Sequence, residues 1–117
     1  MADEFKKYNS FESRFNEAQT IMFKYPKCVP VFCEKNKSCN DIKSLTKKKY
    51  ILPFNLTVGE FLIYIRKSIY LNKDQGIYLL IDGNIPRISD NFFNLYHNYK
   101  DNDGFLYLVY SSESTFG

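Results

Sequence analysis

The feature that most restricts the fold of this chain is an apolar run close to its C-terminal end. Residues 105–110, Phe-Leu-Tyr-Leu-Val-Tyr, follow the turn residues Asp103 and Gly104 and predict a β-strand. Only a short tail, residues 111–117, comes after this strand, and it ends in glycine. A strand of this kind is able to pair in the middle of a sheet, so we expect it to anchor the end of the chain in the fold.

The first part of the chain predicts a helix followed by a strand. Ser10 can cap a helix that runs to about Tyr25, where the following proline ends it. Its apolar residues have a 4-3-4-3 spacing, which predicts one buried stripe: Phe11, Phe15, Ala18, Met22 and Tyr25. Residues 5–8 predict a short helical turn before this helix. Residues 29–33 alternate as a strand, in which Pro30 favours either an edge strand or an N–H side that faces solvent.

The middle of the chain predicts a strand, a capped helix and a further strand. Residues 47–52 form the first strand, which Pro53 ends. Thr57-Val58-Gly59-Glu60 is a capping box, because a threonine at the N-cap is followed by glutamate three residues later. The helix that it opens turns these apolar residues inward: Val58, Phe61, Leu62, Ile65 and Ile69. Residues 77–81 form a continuous apolar strand.

The remaining elements are a turn, a very short strand and a helix. Asp82-Gly83 is a turn, and Ile85-Pro86 can supply only a short strand. A helix starts at Ser89 or Asp90 and continues to about Tyr99. Its apolar side consists of Phe92, Leu95, Tyr96 and Tyr99.

The predicted order of elements is a helix followed by ββαββαβ. A central capped helix and a last strand in the middle of the sheet are typical of the β-grasp, the ubiquitin-like α+β fold. We therefore expect an N-terminal helical extension (residues 1–27), a ubiquitin-like core (residues 28–112) and a flexible C-terminal tail (residues 113–117). The length of 117 residues and the absence of repeats indicate one domain.

The charge of the chain is unevenly distributed. Its net charge is +3, but residues 1–50 hold eleven Lys and Arg against six Asp and Glu, whereas residues 51–117 hold five against seven. This asymmetry suggests a basic patch that faces a partner, and not a nucleic-acid protein that is charged all over. No apolar run approaches the length of a membrane span, and the N-terminal residues lack the apolar core of a signal peptide.

The cysteines and the histidine predict neither a metal site nor a cofactor site. Cys28, Cys33 and Cys39 have no C-x-x-C spacing, and His97 is the only histidine. Reduced structural thiols are the better interpretation. A single histidine, without paired carboxylates or a phosphate loop, assembles no active site, so we do not expect an enzyme.

Six motifs occur in order along the chain. They are Val29–Lys35, Lys47–Tyr50, Leu56–Phe61, Ile65–Lys67, Lys100–Tyr107 and Ser114–Gly117. In sequence and spacing they closely resemble the autophagy ubiquitin-like modifiers, the family of autophagy-related protein 8, light chain 3 of microtubule-associated proteins and the GABA-receptor-associated protein. The resemblance extends from about Phe11 to Gly117.

The resemblance implies that the chain is a substrate of other enzymes. An E1-like enzyme would activate the Gly117 carboxylate, and E2-like thioesters would pass it to phosphatidylethanolamine on the autophagosomal membrane. A deconjugating cysteine protease would reverse the amide bond. The lipidated protein would recruit cargo receptors and adaptors that carry aromatic-x-x-aliphatic motifs. The protein would thus be cytoplasmic until lipidated and would have no nucleic-acid partner.

The resemblance also implies a peptide groove along strand 47–52. An aromatic pocket would be lined by Glu17, Ile21, Pro30, Phe32, Lys49, Ile51 and Phe105. An aliphatic pocket would be lined by Tyr50, Leu52, Pro53, Leu56, Phe61 and Tyr64. Lys47 and Lys48 would form a basic edge that attracts acidic residues beside the motif. An added strand gains affinity from main-chain hydrogen bonds and specificity from such pockets.

Three positions depart from the family pattern, and two alternatives stay open. Cys28 and Ser68 stand where many members carry arginine, which is expected to weaken the acidic-peptide clamp. Tyr64 replaces a smaller aliphatic residue and is expected to narrow the aliphatic pocket. The lysines at 47–49 could instead form a nucleic-acid or anionic-membrane patch, or simply protect an edge from aggregation. The alternative function is that of a non-conjugated ubiquitin-like adaptor that binds tubulin or receptor tails.

Overall fold

Four strands and five helices follow one another in the part of the chain that the structure describes. The structure is a computed structural model, which describes residues 2–116, without the side chains of residues 115 and 116. The elements are α1 (Asp3–Tyr8), α2 (Phe11–Lys24), β1 (Cys28–Lys35), β2 (Lys49–Pro53), α3 (Val58–Ser68), β3 (Ile77–Leu80), α4 (Phe92–Tyr99), β4 (Leu106–Ser112) and α5 (Glu113–Phe116).

The strands form one mixed sheet in the order β2-β1-β4-β3. β4 is parallel to β1, with Val31 opposite Leu106, and antiparallel to β3, with Leu79 opposite Tyr110. The last strand of the chain therefore lies in the middle of the sheet, as the sequence predicts. The main core lies between the sheet and helices α3 and α4, while a second cluster lies between the sheet and helices α1 and α2.

Of the two alternatives predicted for Pro30, the edge strand is wrong. β1 has β2 on one side and β4 on the other. Proline is tolerated because the pairing of β1 with β4 begins only at Val31, one residue later, whereas Pro30 pairs with Ile51 of β2. The missing N–H of Pro30 therefore interrupts no bond to β4.

Helix α3 begins at the predicted capping box. The Thr57 hydroxyl accepts a hydrogen bond from the Glu60 amide at 3.2 Å, and the Glu60 carboxylate accepts one from the Thr57 amide at 3.0 Å. The predicted inward residues Val58, Phe61 and Ile65 are buried. The prediction for α3 is confirmed. It could be made from the sequence because the cap and the apolar spacing are both local properties of the chain.

Helix α2 has the predicted limits but does not bury the predicted stripe. Of the five predicted residues, Ala18 is buried and Met22 is half-buried, whereas Phe11, Phe15 and Tyr25 are 49%, 38% and 48% exposed. Arg14, which lies outside the predicted stripe, is buried instead. The cause is an ion pair, in which Arg14 Nε lies 2.9 Å from a carboxylate oxygen of Asp103. This pair turns a polar residue of α2 toward the sheet, and the two phenylalanines remain at the side of the helix.

Two boundaries before β4 also differ from expectation. Residues 85 and 86 form no strand, and pairing there is limited to a bridge between Ile81 and Asn84. Pro86 has no N–H to donate, which disfavours extension of that bridge. Helix α4 begins at Phe92, with Asn91 as its cap and not Ser89 or Asp90. The ubiquitin-like α+β fold is confirmed, with four strands in place of five among the described residues.

Candidate functional site

Strand β2 is an edge strand that presents alternate residues to two faces of the sheet. Within the described residues it pairs only with β1, so its other edge has backbone groups available to a further strand. Lys49 and Ile51 are exposed, whereas Tyr50 and Leu52 are buried. The two predicted pockets are therefore separated by the pleat of β2.

The residues of the predicted aromatic pocket come together where α2 crosses β1 and β2. The strand register places Phe32 opposite Lys49 and Pro30 opposite Ile51. Phe32 and Phe105 belong to one buried cluster, against which Ile21 packs. The Lys49 ammonium lies 3.0 Å from a carboxylate oxygen of Glu17, and this exposed ion pair lies above the cluster.

Phe5 of α1 contacts the same aromatic cluster, and sequence reasoning did not include it. Its ring stacks on Phe32 at a centroid distance of 4.8 Å and meets Phe105 edge-on at 5.5 Å. The Lys49 ammonium lies 4.7 Å from the centre of the Phe5 ring. Because Phe32 and Phe105 are 5% and 0% exposed, the floor of the aromatic pocket is covered. The signal in the sequence that could have indicated this contact is Phe5 itself, the single phenylalanine of the predicted N-terminal turn.

The predicted aliphatic pocket lies on the opposite face, between β2 and α3. Tyr50, Phe61 and Tyr64 are in mutual contact, with ring centroids 5.4–5.9 Å apart. The Tyr50 hydroxyl donates to the Lys47 carbonyl at 2.6 Å. Burial raises the pKa of the Tyr50 hydroxyl, and the adjacent Tyr64 raises it further. Leu52 is buried and Leu56 is half-buried, so all these residues share one apolar region.

The predicted basic edge lies just before β2, because the strand begins at Lys49 and not at residue 47 as predicted. Lys47 and Lys48 are both exposed, and the Lys47 ammonium lies 5.1 Å from the centre of the Tyr50 ring. Together with Lys49 they give this end of the edge strand a positive charge, which favours acidic ligands.

The C-terminal segment continues from β4 as a single helical turn, α5. The Ser114 hydroxyl donates to Asp41 Oδ2, and the Glu113 amide donates to the Gly76 carbonyl at 2.9 Å. Gly117, the predicted conjugation residue, lies outside the described residues. The division of the chain at residues 27 and 112, and a flexible tail over residues 113–117, stay predictions.

Comparison with known proteins identifies the family. The sequence model described as "Autophagy protein Atg8 ubiquitin like" matches residues 13–117. The chain belongs to the Atg8 family. "Autophagy-related protein 8" of Schizosaccharomyces pombe is 46% identical over 118 residues, which cover 100% of this chain and 96% of that protein. The protein of the same name from Coccidioides immitis is 43% identical, with 100% and 99% covered.

A solved structure supports the same membership of the Atg8 family. The crystal structure of Trypanosoma brucei ATG8 superposes with a TM-score of 0.87 at 35% identity and covers 97% of each chain. The ubiquitin-like fold and an autophagy role as an Atg8-family ubiquitin-like protein are therefore shown.

The cysteines of this Atg8-family chain are dispersed, and each has a free thiol. Cys33 and Cys39 are buried and Cys28 is half-buried; burial raises the pKa of the Cys33 thiol. Among the described residues, no group of three or more His, Cys, Asp and Glu side chains is arranged to hold a metal ion. Across the same part of the chain, every helix is too short or too polar to cross a bilayer.

Proposed function

We propose that this Atg8-family protein is a ubiquitin-like modifier of autophagy that is conjugated to phosphatidylethanolamine through Gly117. In this role it also recruits cargo receptors and adaptors that carry aromatic-x-x-aliphatic motifs. The observation that carries the proposal is the free edge of β2, which has an aromatic cluster on one face and an apolar region on the other. An extended peptide added to this edge would direct alternate side chains to the two faces.

The chemistry proposed for Gly117 requires only a carboxylate from this chain. A glycine has no Cβ, so a narrow enzyme channel can admit its backbone and its carboxylate can be attacked without hindrance. The nucleophilic thiols belong to the E1-like and E2-like enzymes and to the deconjugating cysteine protease. The product carries two acyl chains, which are enough for stable anchoring of a cytoplasmic protein on the autophagosomal membrane. The chain itself is not an enzyme in this proposal, and it binds no nucleic acid.

A peptide aromatic side chain can enter the first pocket only after the covering groups move. The Lys49–Glu17 pair is an exposed ion pair, with side chains 46% and 37% exposed. Such pairs contribute about 0–1 kcal/mol, so the Lys49 side chain can be displaced at small cost. It can then pair with an acidic residue of the peptide. We propose that Glu17, Ile21, Pro30, Phe32, Lys49, Ile51 and Phe105 receive the aromatic residue.

The second pocket receives the aliphatic residue in this proposal. Its proposed lining is Tyr50, Leu52, Pro53, Leu56, Phe61 and Tyr64. Tyr50 and Leu52 lie on the α3 side of β2, whereas Pro53 at the end of the strand is exposed like Ile51. The exposed lysines at 47 and 48 attract the acidic residues that precede the aromatic residue. These assignments are supported by the shared location of each set and by the exposure of the β2 edge.

A lipidation assay tests the conjugation. The purified protein is incubated with E1-like and E2-like enzymes, ATP and liposomes that contain phosphatidylethanolamine, and its mass is measured. We expect a lipid adduct for the wild type and none for Gly117→Ala. Liposomes of phosphatidylcholine alone, which lacks the amine acceptor, are the control. An adduct on Gly117→Ala equal to that of the wild type would contradict the proposal.

A binding assay tests the groove independently. Lys49→Glu is expected to weaken binding of an acidic aromatic-x-x-aliphatic peptide, whereas Lys24→Glu, an equal charge change at an exposed site on α2, should leave it unchanged. Equal affinities for the three proteins would place the peptide elsewhere. Peptide binding without any lipidation of the wild type would instead favour the non-conjugated adaptor.

A further inference from the structure

Tyr110 of β4 attaches the loop between β1 and β2 to the sheet. The hydroxyl of the buried Tyr110 in β4 donates to the Lys43 carbonyl and accepts from the Leu45 amide, both at 2.8 Å. The Asn36 amide donates to the Tyr110 carbonyl at 2.8 Å, and Cys39 is fully buried. The position of the loop is therefore set by the core and not by surface contacts alone.

Asp41 of this loop accepts hydrogen bonds from the last residue of β4 and from a residue of α5. Its Oδ2 accepts from the Ser112 hydroxyl at 2.7 Å and from the Ser114 hydroxyl. Its Oδ1 accepts from the Cys39 thiol at 3.2 Å, which orients the carboxylate. The Ser112 hydroxyl in turn accepts from the Ser114 amide at 3.2 Å. One carboxylate thus joins the loop to the start of α5.

The same turn is held from its other side by the segment before β3. The Glu113 amide donates to the Gly76 carbonyl at 2.9 Å. The Glu113 carboxylate lies against Gly76, in the space that a Cβ atom at that position would occupy. Two independent contacts therefore hold α5 against the body of the protein.

We propose that Asp41 is a positioning residue that holds the C-terminal turn on the body of the protein, and that this hold must open before Gly117 can be conjugated. The proposal rests on the proposed function only in its second part. No lipid, enzyme or second chain is needed for the first part, which is a property of the free protein.

The geometry of the turn supplies the reason. An α-helix rises about 1.5 Å per residue, whereas an extended chain rises about 3.3 Å. The residues Glu113–Phe116 therefore reach about 6 Å as a helical turn and about 13 Å when extended. A narrow channel that admits a terminal glycine requires the extended form. Release of the turn from Asp41 would let residues 113–116 extend and gain this length.

Amide hydrogen exchange of Ser114 in the free protein tests the first part. Asp41→Ala removes both carboxylate oxygens and is expected to increase exchange about five- to tenfold, the value of one ordinary net hydrogen bond, because these bonds lie at the surface. Glu12→Ala is the control, because it removes an equal charge from an exposed site on α2, outside the two segments that hold the turn. Asp41→Asn keeps one oxygen acceptor and should give an intermediate rate. Thermal unfolding of each variant shows whether the body remains folded. If the Ser114 amide of Asp41→Ala exchanged at the same rate as in the wild type, the proposal would be overturned.

The rate of lipidation tests the second part. In the assay above, Asp41→Ala is expected to react several-fold faster than the wild type at limiting enzyme, through a higher kcat/KM. Structural damage would not produce a faster reaction, so the direction of the change separates the two explanations. If Asp41→Ala showed faster amide exchange but an unchanged or lower rate of lipidation, the link to conjugation would be overturned. If the wild type is not lipidated at all, the proposed function fails and so does this link, while the exchange result still decides whether Asp41 holds the turn.

Discussion

Replacement of Arg14 by methionine tests the buried ion pair that sets the rotation of helix α2. Arg14 Nε lies 2.9 Å from Asp103 Oδ2, and the two side chains are 10% and 0% exposed. The same carboxylate group accepts from the Tyr107 hydroxyl at 2.5 Å and from the Phe105 amide at 2.9 Å. Removal of the guanidinium leaves a buried carboxylate without its counter-charge. Breaking such a pair costs about 3–5 kcal/mol.

Urea unfolding at neutral pH measures this loss. We expect the free energy of unfolding of Arg14→Met to fall by about 3–5 kcal/mol. At about 4 °C per kcal/mol for a domain of this size, Tm should fall by about 12–20 °C. The matched control is Lys37→Met, which breaks an ion pair with Asp3 whose side chains are 69% and 64% exposed, and which should change stability little.

The reasoning would be refuted if the two variants lost equal stability, or if Arg14→Met lost less than about 1 kcal/mol. A further variant separates charge from packing. Arg14→Met combined with Asp103→Asn removes both charges but keeps an oxygen acceptor for the Tyr107 hydroxyl. It should be more stable than Arg14→Met alone, because no buried charge is left unpaired.

Three other predictions concern a turn, a cap and a surface carboxylate. Gly104→Ala should destabilise the protein more than Gly83→Ala. Both glycines have positive φ (90° and 78°), but only a Cβ at Gly104 would lie 3.0 Å from a side chain of α2. If urea unfolding gave both variants the same loss of unfolding free energy, the close approach at Gly104 would be contradicted. Thr57→Ala removes the side-chain acceptor of the capping box and should lower the free energy of unfolding by about 1 kcal/mol, while Thr57→Ser should change it less. Hydrogen bonds, first of all from Ser114, lower the pKa of Asp41 to about 2, so their stabilising contribution is complete above pH ~4 and is lost as the pH falls through 2. In an NMR titration the Asp41 midpoint should rise in Ser114→Ala; an unchanged midpoint would show that this bond does not form.

Local signals predicted the elements that depend only on neighbouring residues. The capping box at Thr57 and the spacing of Phe61 and Ile65 specify where α3 begins and which side it buries. The strand character of residues 106–110 likewise follows from their composition. The two peptide pockets came from the family resemblance and not from a local pattern, and they stay predictions.

Features that depend on distant residues were not predictable in this way. The apolar spacing of α2 favours a stripe that contains Phe11, but the ion pair between Arg14 and Asp103 joins residues 89 positions apart and rotates the helix. Phe5 stacks on Phe32, which lies 27 positions further along the chain and in a different element. Such contacts are decided by the relative positions of helices and sheet, which no local pattern contains.

By itself, the sequence determined the α+β order of elements, the capped central helix, the strand in the middle of the sheet and the membership of the autophagy modifiers. These depend on periodicity, on capping residues and on motifs that lie within short windows of the chain. Only the tertiary structure decided which face α2 buries, that Phe5 covers the aromatic cluster and that Asp41 meets Ser114. The physical reason is that a hydrogen bond or ring contact forms only when folding brings both partners together. The partner's identity is encoded far away along the chain.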